Sequence, residues 1–147
     1  MAKAKFVYVT YIKTSPAKLW KALIDPEMTG KYWQHKNVSD WKPGSPWEHR
    51  SCDRKGTLGL VGKVVEFSPS RRLVLTWAFP RDKARSEKHS RVTIGISRYR
   101  GVARLRVTHD RLVAGSAMLK GITEGWPKVL SSLKTYLETG RPLPVLW

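Results

Sequence analysis

The residues best suited to do chemistry in this chain are its large aromatic side chains, above all the seven tryptophans among 147 residues. An indole ring offers a large apolar contact area, and its N–H needs a hydrogen-bond partner when it is buried. Trp33, Trp41, Trp47 and Trp77 could therefore grip an apolar small molecule and add one or two hydrogen bonds. The alternative is that these rings fill the interior completely, because pockets and cores are lined by the same residue types.

Two residues from later segments are candidates for the same site. Trp126 lies between Gly125 and Pro127 within an apolar pattern of helical spacing, and could form a pocket wall or ordinary core. His109 alternates with Leu105 and Val107 along a predicted strand. It could anchor a ligand by a hydrogen bond, although a hydrogen-bonded structural histidine is the favoured interpretation.

The sequence offers little support for catalysis or metal binding. Cys52 is the one cysteine, and no motif places a base beside it to activate the thiol. His49 lies near Cys52 and Asp53, but these three do not have the spacing of a metal site. The glycines at 56, 59 and 62 fit a strand with a bulge better than a phosphate loop. We therefore expect no metal and no cofactor.

The net charge is extreme, since 28 Lys and Arg residues oppose 11 acidic ones and give a formal charge of +17. Such a charge attracts polyanions without specifying a fold, and a solvated basic surface is the favoured explanation. A nucleic-acid surface would use Arg98, Arg100, Arg104 and Arg106, with Tyr99 available to stack on a base. The chain carries no recognised nucleic-acid motif.

The N-terminal segment predicts one strand and two short helices. Phe6 to Ile12 alternates with period 2 and predicts a strand whose two faces are both partly covered. Ser15 and Asp25 each precede a proline, which predicts two capped helices that end near Trp33. The apolar run that follows the first five residues and ends at Lys13 alternates with polar residues, and no small-residue cleavage site follows it, so it does not resemble a signal peptide. Together with the lone thiol, this predicts a cytoplasmic protein with no membrane span.

The remainder predicts about six strands and then one long helix. Turn signals separate alternating segments up to about residue 110. From Leu119 to Leu137 the apolar residues recur every three or four positions, and Gly140 is placed to cap this helix. Pro127 should bend it near Gly125. The prediction is a single α+β domain over residues 1–140, with an antiparallel sheet and a tail over 141–147.

Several of these segments together resemble a known family. They are Ile12 to Leu23, Asp25-Pro26, Trp33, Pro43-Gly44, Gly62 to Phe67, Arg72-Leu73, Trp77, Leu105 to His109, and Gly125-Trp126 with Leu130, Leu133 and Leu137. In order and spacing they resemble the standalone bacterial homologues of the C-terminal domain of the heat shock protein 90 ATPase activator. That family belongs to the SRPBCC (START-like, birch-pollen-allergen-like) superfamily.

The resemblance implies a helix-grip fold, in which a curved antiparallel sheet wraps a long C-terminal helix around an apolar pocket. It leads us to expect non-enzymatic binding of an apolar or amphipathic small molecule. The expected pocket residues are Trp33, Trp41, Trp47, Trp77, His109, Met118, Ile122 and Trp126. The alternatives are polyanion binding, a cyclase-like enzyme and a co-chaperone-like interaction module. A chaperone partner is not expected, because the chain has no room for the second domain of the eukaryotic co-chaperones. The oligomeric state stays open.

Overall fold

The chain folds as an antiparallel sheet with helices on one face, as a computed structural model describes for residues 3–147. The first two residues of the predicted N-terminal segment lie outside the described residues. The elements in chain order are β1 (Lys3–Ile12), α1 (Pro16–Ile24), α2 (Pro26–Trp33), β2 (His35–Ser39), β3 (Pro46–Ser51), β4 (Leu58–Ser68), β5 (Arg72–Trp77), β6 (Ser90–Tyr99), β7 (Val102–Val113) and α3 (Ala117–Thr139). Two short 3₁₀ turns, Pro80–Asp82 and Ser86–Lys88, interrupt the loop between β5 and β6.

The seven strands form one antiparallel sheet in the order β1-β7-β6-β5-β4-β3-β2. Strands β2 to β6 each pair with the next strand in sequence, and β7 pairs with β1, where Tyr8 faces Val107. The inward residues of β5, β6 and β7 are buried and include Leu73, Ile94 and Leu105. The apolar stripe of α3 joins them in one core. The predicted α+β helix-grip architecture is therefore confirmed.

The helix boundaries follow the capping signals in the sequence. The Ser15 hydroxyl accepts a hydrogen bond from the Lys18 N–H at 3.2 Å, and the Asp25 carboxylate accepts one from the Glu27 N–H at 2.9 Å. Ser116 caps α3 in the same way. Gly140 ends α3 with a φ of +84°, a left-handed conformation that glycine adopts without steric cost. Short polar side chains thus satisfy the free N–H groups that every helix start exposes.

The structure corrects one detail of β1. The face that carries Val7, Val9 and Tyr11 is exposed, whereas the sequence predicted that both faces would be partly covered. The reason is topological, because β1 is an edge strand and the helices pack only on the other face of the sheet.

Helix α3 is continuous through Pro127. Proline has no N–H to donate, so the carbonyl of Thr123, four residues earlier, lacks its usual helical donor. The predicted bend does not interrupt the helix. Within residues 3–147, no helix combines the length and hydrophobicity that a membrane crossing requires.

Candidate functional site

A cavity of about 320 Å³ lies between α3 and the sheet. This volume falls at the lower end of the range typical of small-molecule sites, about 300–1,000 Å³. The residues that line it are Trp33, His35, His49, Gly59, Leu60, Trp77, Phe79, Ala117, Met118, Gly121, Ile122, Gly125, Trp126 and Val129. This lining contains no Lys, Arg, Asp or Glu, although the chain has 39 such residues (28 basic and 11 acidic). The cavity is thus shielded from the protein's large charge.

Three indole rings form one wall of the cavity. The ring centroids of Trp33, Trp77 and Trp126 are 5.4 to 6.4 Å apart, with tilted or stacked planes. Trp33 ends α2, Trp77 ends β5 and Trp126 lies in the middle of α3, so three separate elements meet here. Aromatic pairs at these separations stabilise one another beyond simple area burial. The wall is therefore held in place by its own packing.

Small residues on α3 line the side of the cavity that opens to solvent, where Ala117 and Gly121 are exposed and Gly125 is half-buried. Ala117, Gly121 and Gly125 recur every four residues and all line the cavity. A Cβ atom added at Gly121 or Gly125 would meet no other atom within 4 Å. A mid-helix glycine costs about 1 kcal/mol relative to alanine, so these two lower the stability of α3 while leaving space beside it.

Two histidines stack at one side of the cavity. The rings of His35 and His49 are 4.4 Å apart and nearly parallel. Burial lowers the pKa of His49 to about 3, with a smaller contribution from neighbouring His35, so His49 is neutral at pH 7. Its Nδ1–H donates a hydrogen bond to the side-chain oxygen of Asn37, 2.5 Å from Nδ1. The neutral ring then has an unprotonated Nε2 that can accept a hydrogen bond.

His109 belongs to a buried hydrogen-bond chain behind the indole wall. The Trp126 indole N–H donates to His109 Nδ1 at 3.1 Å, so the proton of the neutral ring resides on Nε2. That Nε2 donates to the Ser90 hydroxyl at 2.7 Å, and Ser90 donates to the Trp77 carbonyl at 3.0 Å. Burial lowers the pKa of His109 to about 4, against a smaller opposing effect of Asp110. Both ring nitrogens are engaged, so neither is free for a ligand.

The structure brings five of the eight predicted pocket residues to the cavity, namely Trp33, Trp77, Met118, Ile122 and Trp126. His109 is fully buried behind Trp126. Trp47 is 1% exposed and lies behind Trp77, where its indole N–H donates to the Thr76 carbonyl at 2.7 Å. Trp41 has a left-handed φ of +57° and stacks on Phe67.

Trp77 separates the main cavity from a much smaller one. The smaller cavity, about 20 Å³, is lined by Trp41 and Trp77 among others and has room for about one water molecule. The Trp77 indole N–H is buried and has no hydrogen-bond partner among the described residues. Such a donor is costly when unsatisfied, so it is a point where a bound molecule could stabilise the protein.

Sequence reasoning missed several lining residues. Ala117, Gly121 and Gly125 had a readable signal, since three small residues at a spacing of four lie on one face of a helix. His35 and His49 had none, because their stacking depends on the pairing of β2 with β3, in which His49 faces Asn37. Phe79 lies two residues after the end of β5, directly before the first 3₁₀ turn, so it reaches the cavity from a loop.

The four predicted surface arginines lie on β6, on β7 and in the turn that joins these strands. Arg104 and Arg106 point away from α3, with Arg106 exposed and Arg104 half-buried. Arg100 lies in the turn between β6 and β7, and its guanidinium is 5.6 Å from the Tyr99 ring centroid. Arg98 follows Ile96 on the inward side of the alternation and is exposed because it lies near the strand end. In residues 3–147, no three His, Cys, Asp or Glu side chains are grouped to hold a metal ion.

A family model described as "Activator of Hsp90 ATPase homolog 1-like protein" matches residues 13–138. The chain belongs to this family. The match extends over most of the chain and places this Hsp90-activator-like protein within the SRPBCC superfamily, as the sequence resemblance indicated. No curated protein sequence matches the chain.

Solved structures share the fold of this Hsp90-activator-like chain. The solution structure of the Aha1 dimer from Colwellia psychrerythraea is 21% identical, with a TM-score of 0.76, and the match covers 93% of this chain and 98% of that one. A Mesorhizobium loti protein is 23% identical, with a TM-score of 0.75 and coverage of 91% and 96%. CalU16 of Micromonospora echinospora is 19% identical, with a TM-score of 0.74 and coverage of 95% and 77%. At these identities the likeness concerns the fold.

Proposed function

We propose that this protein binds an uncharged apolar or amphipathic small molecule in the cavity between α3 and the sheet. The observation that carries the proposal is the 320 Å³ cavity, lined without charged residues in a chain of net charge +17. Burying a charged group there would cost far more than burying an apolar one, because none of its walls supplies a counter-charge. The ligand's apolar body would contact Trp33, Trp77 and Trp126.

Two polar groups in the walls suggest the ligand's polar features. The neutral His49 ring offers an acceptor at Nε2. The Trp77 indole N–H is a donor without a partner among the described residues, but it is fully buried, so a ligand would reach it only after the ring moves. A molecule with one hydroxyl or amide N–H and one carbonyl or ether oxygen could use both. The smaller cavity beside Trp77 leaves room for a slight movement of the ring.

The glycines of α3 support binding over ordinary core packing. A helix under selection for stability alone would carry alanine or larger residues at Gly121 and Gly125, since a Cβ meets nothing at either position. Keeping both glycines preserves space beside Trp126. The rings therefore do not fill the interior, which was the alternative left by the sequence.

The experiment is a fluorescence titration of the full chain with N-phenyl-1-naphthylamine, an uncharged probe that brightens in apolar surroundings. An uncharged probe is essential, because an anionic dye would bind to the basic surface. We expect saturable one-to-one binding that is unchanged between low and moderate salt. The Gly125→Leu variant, which extends a side chain into the cavity, should weaken binding by about tenfold or more, equivalent to about 1.4 kcal/mol.

The matched control is Thr123→Leu, which adds an apolar side chain to the exposed side of the same helix. Trp126→Ala is a poorer variant, because it also removes the donor to His109 and could unfold the protein. Absence of saturable binding in the wild type, or equal weakening by Gly125→Leu and Thr123→Leu, would overturn the proposal.

The cyclase-like alternative has less support from the geometry. Acid–base catalysis works best with a group whose pKa lies near the working pH. The pKa of His49 is about 3, which makes it a weak base, and both nitrogens of His109 are engaged. An enzyme of this kind would have to act mainly by shaping its substrate.

A further inference from the structure

The sheet face turned away from α3 concentrates positive charge. The four neighbouring strands β1, β7, β6 and β5 contain eight Lys or Arg residues, of which Arg98 lies on the inward side of β6, and a single acidic residue, Asp110. Asp110 already pairs with Arg91 at 3.1 Å. Arg104 and Arg106 make no ion pair with any residue in 3–147. We call the outward side of these four strands the outer face. Its positive charge favours an anionic partner.

A pair of exposed tyrosines lies at one end of the outer face. Tyr11 of β1 and Tyr99 of β6 are 43% and 47% exposed, with ring centroids 5.3 Å apart. Arg104 is the cross-strand neighbour of Tyr11. Nucleic-acid bases stack on exposed rings of this kind, and arginine beside them adds a cation–π contribution.

A gap between two arginines lies further along the same face. Arg106, Gly95 and Arg72 are successive partners in one row across β7, β6 and β5. A Cβ at Gly95 would meet nothing within 4 Å, so the row is open between the two arginines, whose backbones lie about 10 Å apart across two strand spacings. A phosphate group could enter this gap and contact the unpaired guanidinium of Arg106 on one side and, on the other, that of Arg72, which also pairs with Glu66 at 3.2 Å.

We propose that the outer face binds single-stranded nucleic acid, with the Tyr11–Tyr99 pair stacking on bases and Arg104 and Arg106 contacting phosphates. The four strands span about 14 Å, three spacings of about 4.8 Å. That is wider than the major groove of B-DNA, about 12 Å, so the face does not fit into a duplex groove. This binding uses residues distinct from the cavity and is independent of the proposed small-molecule function.

An acidic lipid surface is the strongest rival partner, because Val7 and Val9 are also exposed on this face. Exposed tyrosines also occur at membrane interfaces, so the feature that favours nucleic acid is the gap at Gly95, which a flat bilayer surface would not fill. The face therefore fits a strand of alternating bases and phosphates better.

The test is a fluorescence anisotropy titration of the full chain with a labelled oligodeoxythymidylate of about 20 nucleotides, which exceeds the site sizes usual for such surfaces. We expect binding that weakens steeply between about 50 and about 200 mM salt. In Arg104→Ala/Arg106→Ala, the slope of log affinity against log salt concentration should be smaller in magnitude by about 1.4. Each lost phosphate contact to a single strand contributes about 0.7 to that slope.

Tyr99→Ala separates stacking from charge. It should weaken binding about fivefold or more while leaving the salt slope unchanged, because stacking involves no counterion release. The matched control is Arg54→Ala/Lys55→Ala, which removes two charges from the exposed turn between β3 and β4. It should leave the slope close to that of the wild type. Circular dichroism checks that each variant is folded.

Three results would overturn the proposal. A duplex of equal length that binds as tightly as the single strand would show simple attraction to net charge. Equal effects of the two double variants would show the same. Binding to phosphatidylglycerol vesicles without binding to the oligonucleotide would assign the face to membranes.

Discussion

At the scale of single residues, the most constrained side chain is His109. It accepts from Trp126 and donates to Ser90, which in turn donates to the Trp77 carbonyl. These hydrogen bonds all donate in the same direction, from Trp126 towards the Trp77 carbonyl, and they therefore fix the tautomer of the histidine. It also ties α3 to β5, β6 and β7 behind the cavity wall. His109 thus positions two of the indoles rather than touching the ligand itself.

Replacing His109 should test this role. In His109→Leu the Trp126 N–H is left without an acceptor, whereas the Ser90 hydroxyl still donates to the Trp77 carbonyl, and the expected loss of unfolding free energy is about 1–3 kcal/mol. Urea denaturation monitored by circular dichroism gives the value. Ser90→Ala should cost a similar amount, since the indole N–H keeps its acceptor but the buried Nε2–H of His109 loses its own. A loss below about 0.5 kcal/mol in His109→Leu would contradict the hydrogen-bond chain.

The two buried histidines predict a pH dependence of stability. The pKa of His49 is lowered to about 3 and that of His109 to about 4 by burial, whereas an unfolded histidine has a pKa of about 6.5. Between these values the unfolded state binds more protons, so stability is complete above pH 6.5 and falls as the pH drops toward 4. The limiting slope is about 1.4 kcal/mol per pH unit for each histidine.

Urea midpoints measured from pH 7 to 4.5 would show this fall. In His109→Asn, which has one fewer titrating group, the slope should be about half that of the wild type. A stability that is constant across this range would mean that the histidines are not buried as neutral groups.

At the scale of elements, glycine has opposite roles in α3 and in β4. Gly121 and Gly125 border empty space, whereas a Cβ at Gly62 would overlap the Thr76 carbonyl and the Trp47 indole nitrogen. The absence of a side chain at Gly62 allows the Trp47 N–H to reach that carbonyl at 2.7 Å. One glycine therefore allows close packing, and the other two leave a cavity.

The same substitution should consequently have opposite effects at the two places. Gly121→Ala should raise the unfolding free energy by about 0.5–1 kcal/mol through helix propensity. Gly62→Ala should lower it by about 1–3 kcal/mol, because strands β3 to β5 must separate. Thermal and urea unfolding measure both. Destabilisation by Gly121→Ala would mean that the space beside α3 is already filled.

At the scale of the whole molecule, few ion pairs offset the net charge of +17. The described residues form five, and the four outer-face strands hold one acidic residue against eight basic ones. Net charge of this size opposes compactness through self-repulsion, and salt screens that repulsion within about 10 Å at 0.1 M.

Reducing the repulsion should stabilise the protein. We expect Arg106→Glu to raise the melting temperature at low ionic strength, since Arg104 and Arg72 lie close by on the same face. The gain should shrink as salt is added. Arg50→Glu is the matched control, because it places a second carboxylate beside Glu48, the present partner of Arg50, and should not stabilise. An equal rise in both variants would show that only net charge matters.

Much of the fold could be predicted because its signals are local. Ser15 and Asp25 mark helix starts through hydrogen bonds that span only two or three residues, and the alternation of β6 and β7 depends on neighbours two positions apart. The exposure of one face of β1 could not be predicted. Val7 and Val9 are exposed because β1 lies at the edge of the sheet, which no local pattern specifies.

The candidate site could be predicted in part for the same reason. The apolar periodicity places Trp33, Trp77 and Trp126 on the interior side of their elements, and all three reach the cavity. Trp47 follows the same pattern, yet it lies behind Trp77 because Gly62 admits it there. Depth within the core is a property of three-dimensional packing and has no counterpart in periodicity.

The sequence by itself determined the order of elements, their caps, the family and the large positive charge, since each depends on residue type and short-range spacing. Only the tertiary structure decided that the aromatic interior leaves a cavity, that His109 is engaged on both ring nitrogens, and that the unpaired arginines share a face with two tyrosines in contact. Those features arise from contacts between residues distant in sequence, such as His109 with Trp126 and Tyr11 with Tyr99. Strand register and packing bring such residues together, and neither can be read from a local pattern.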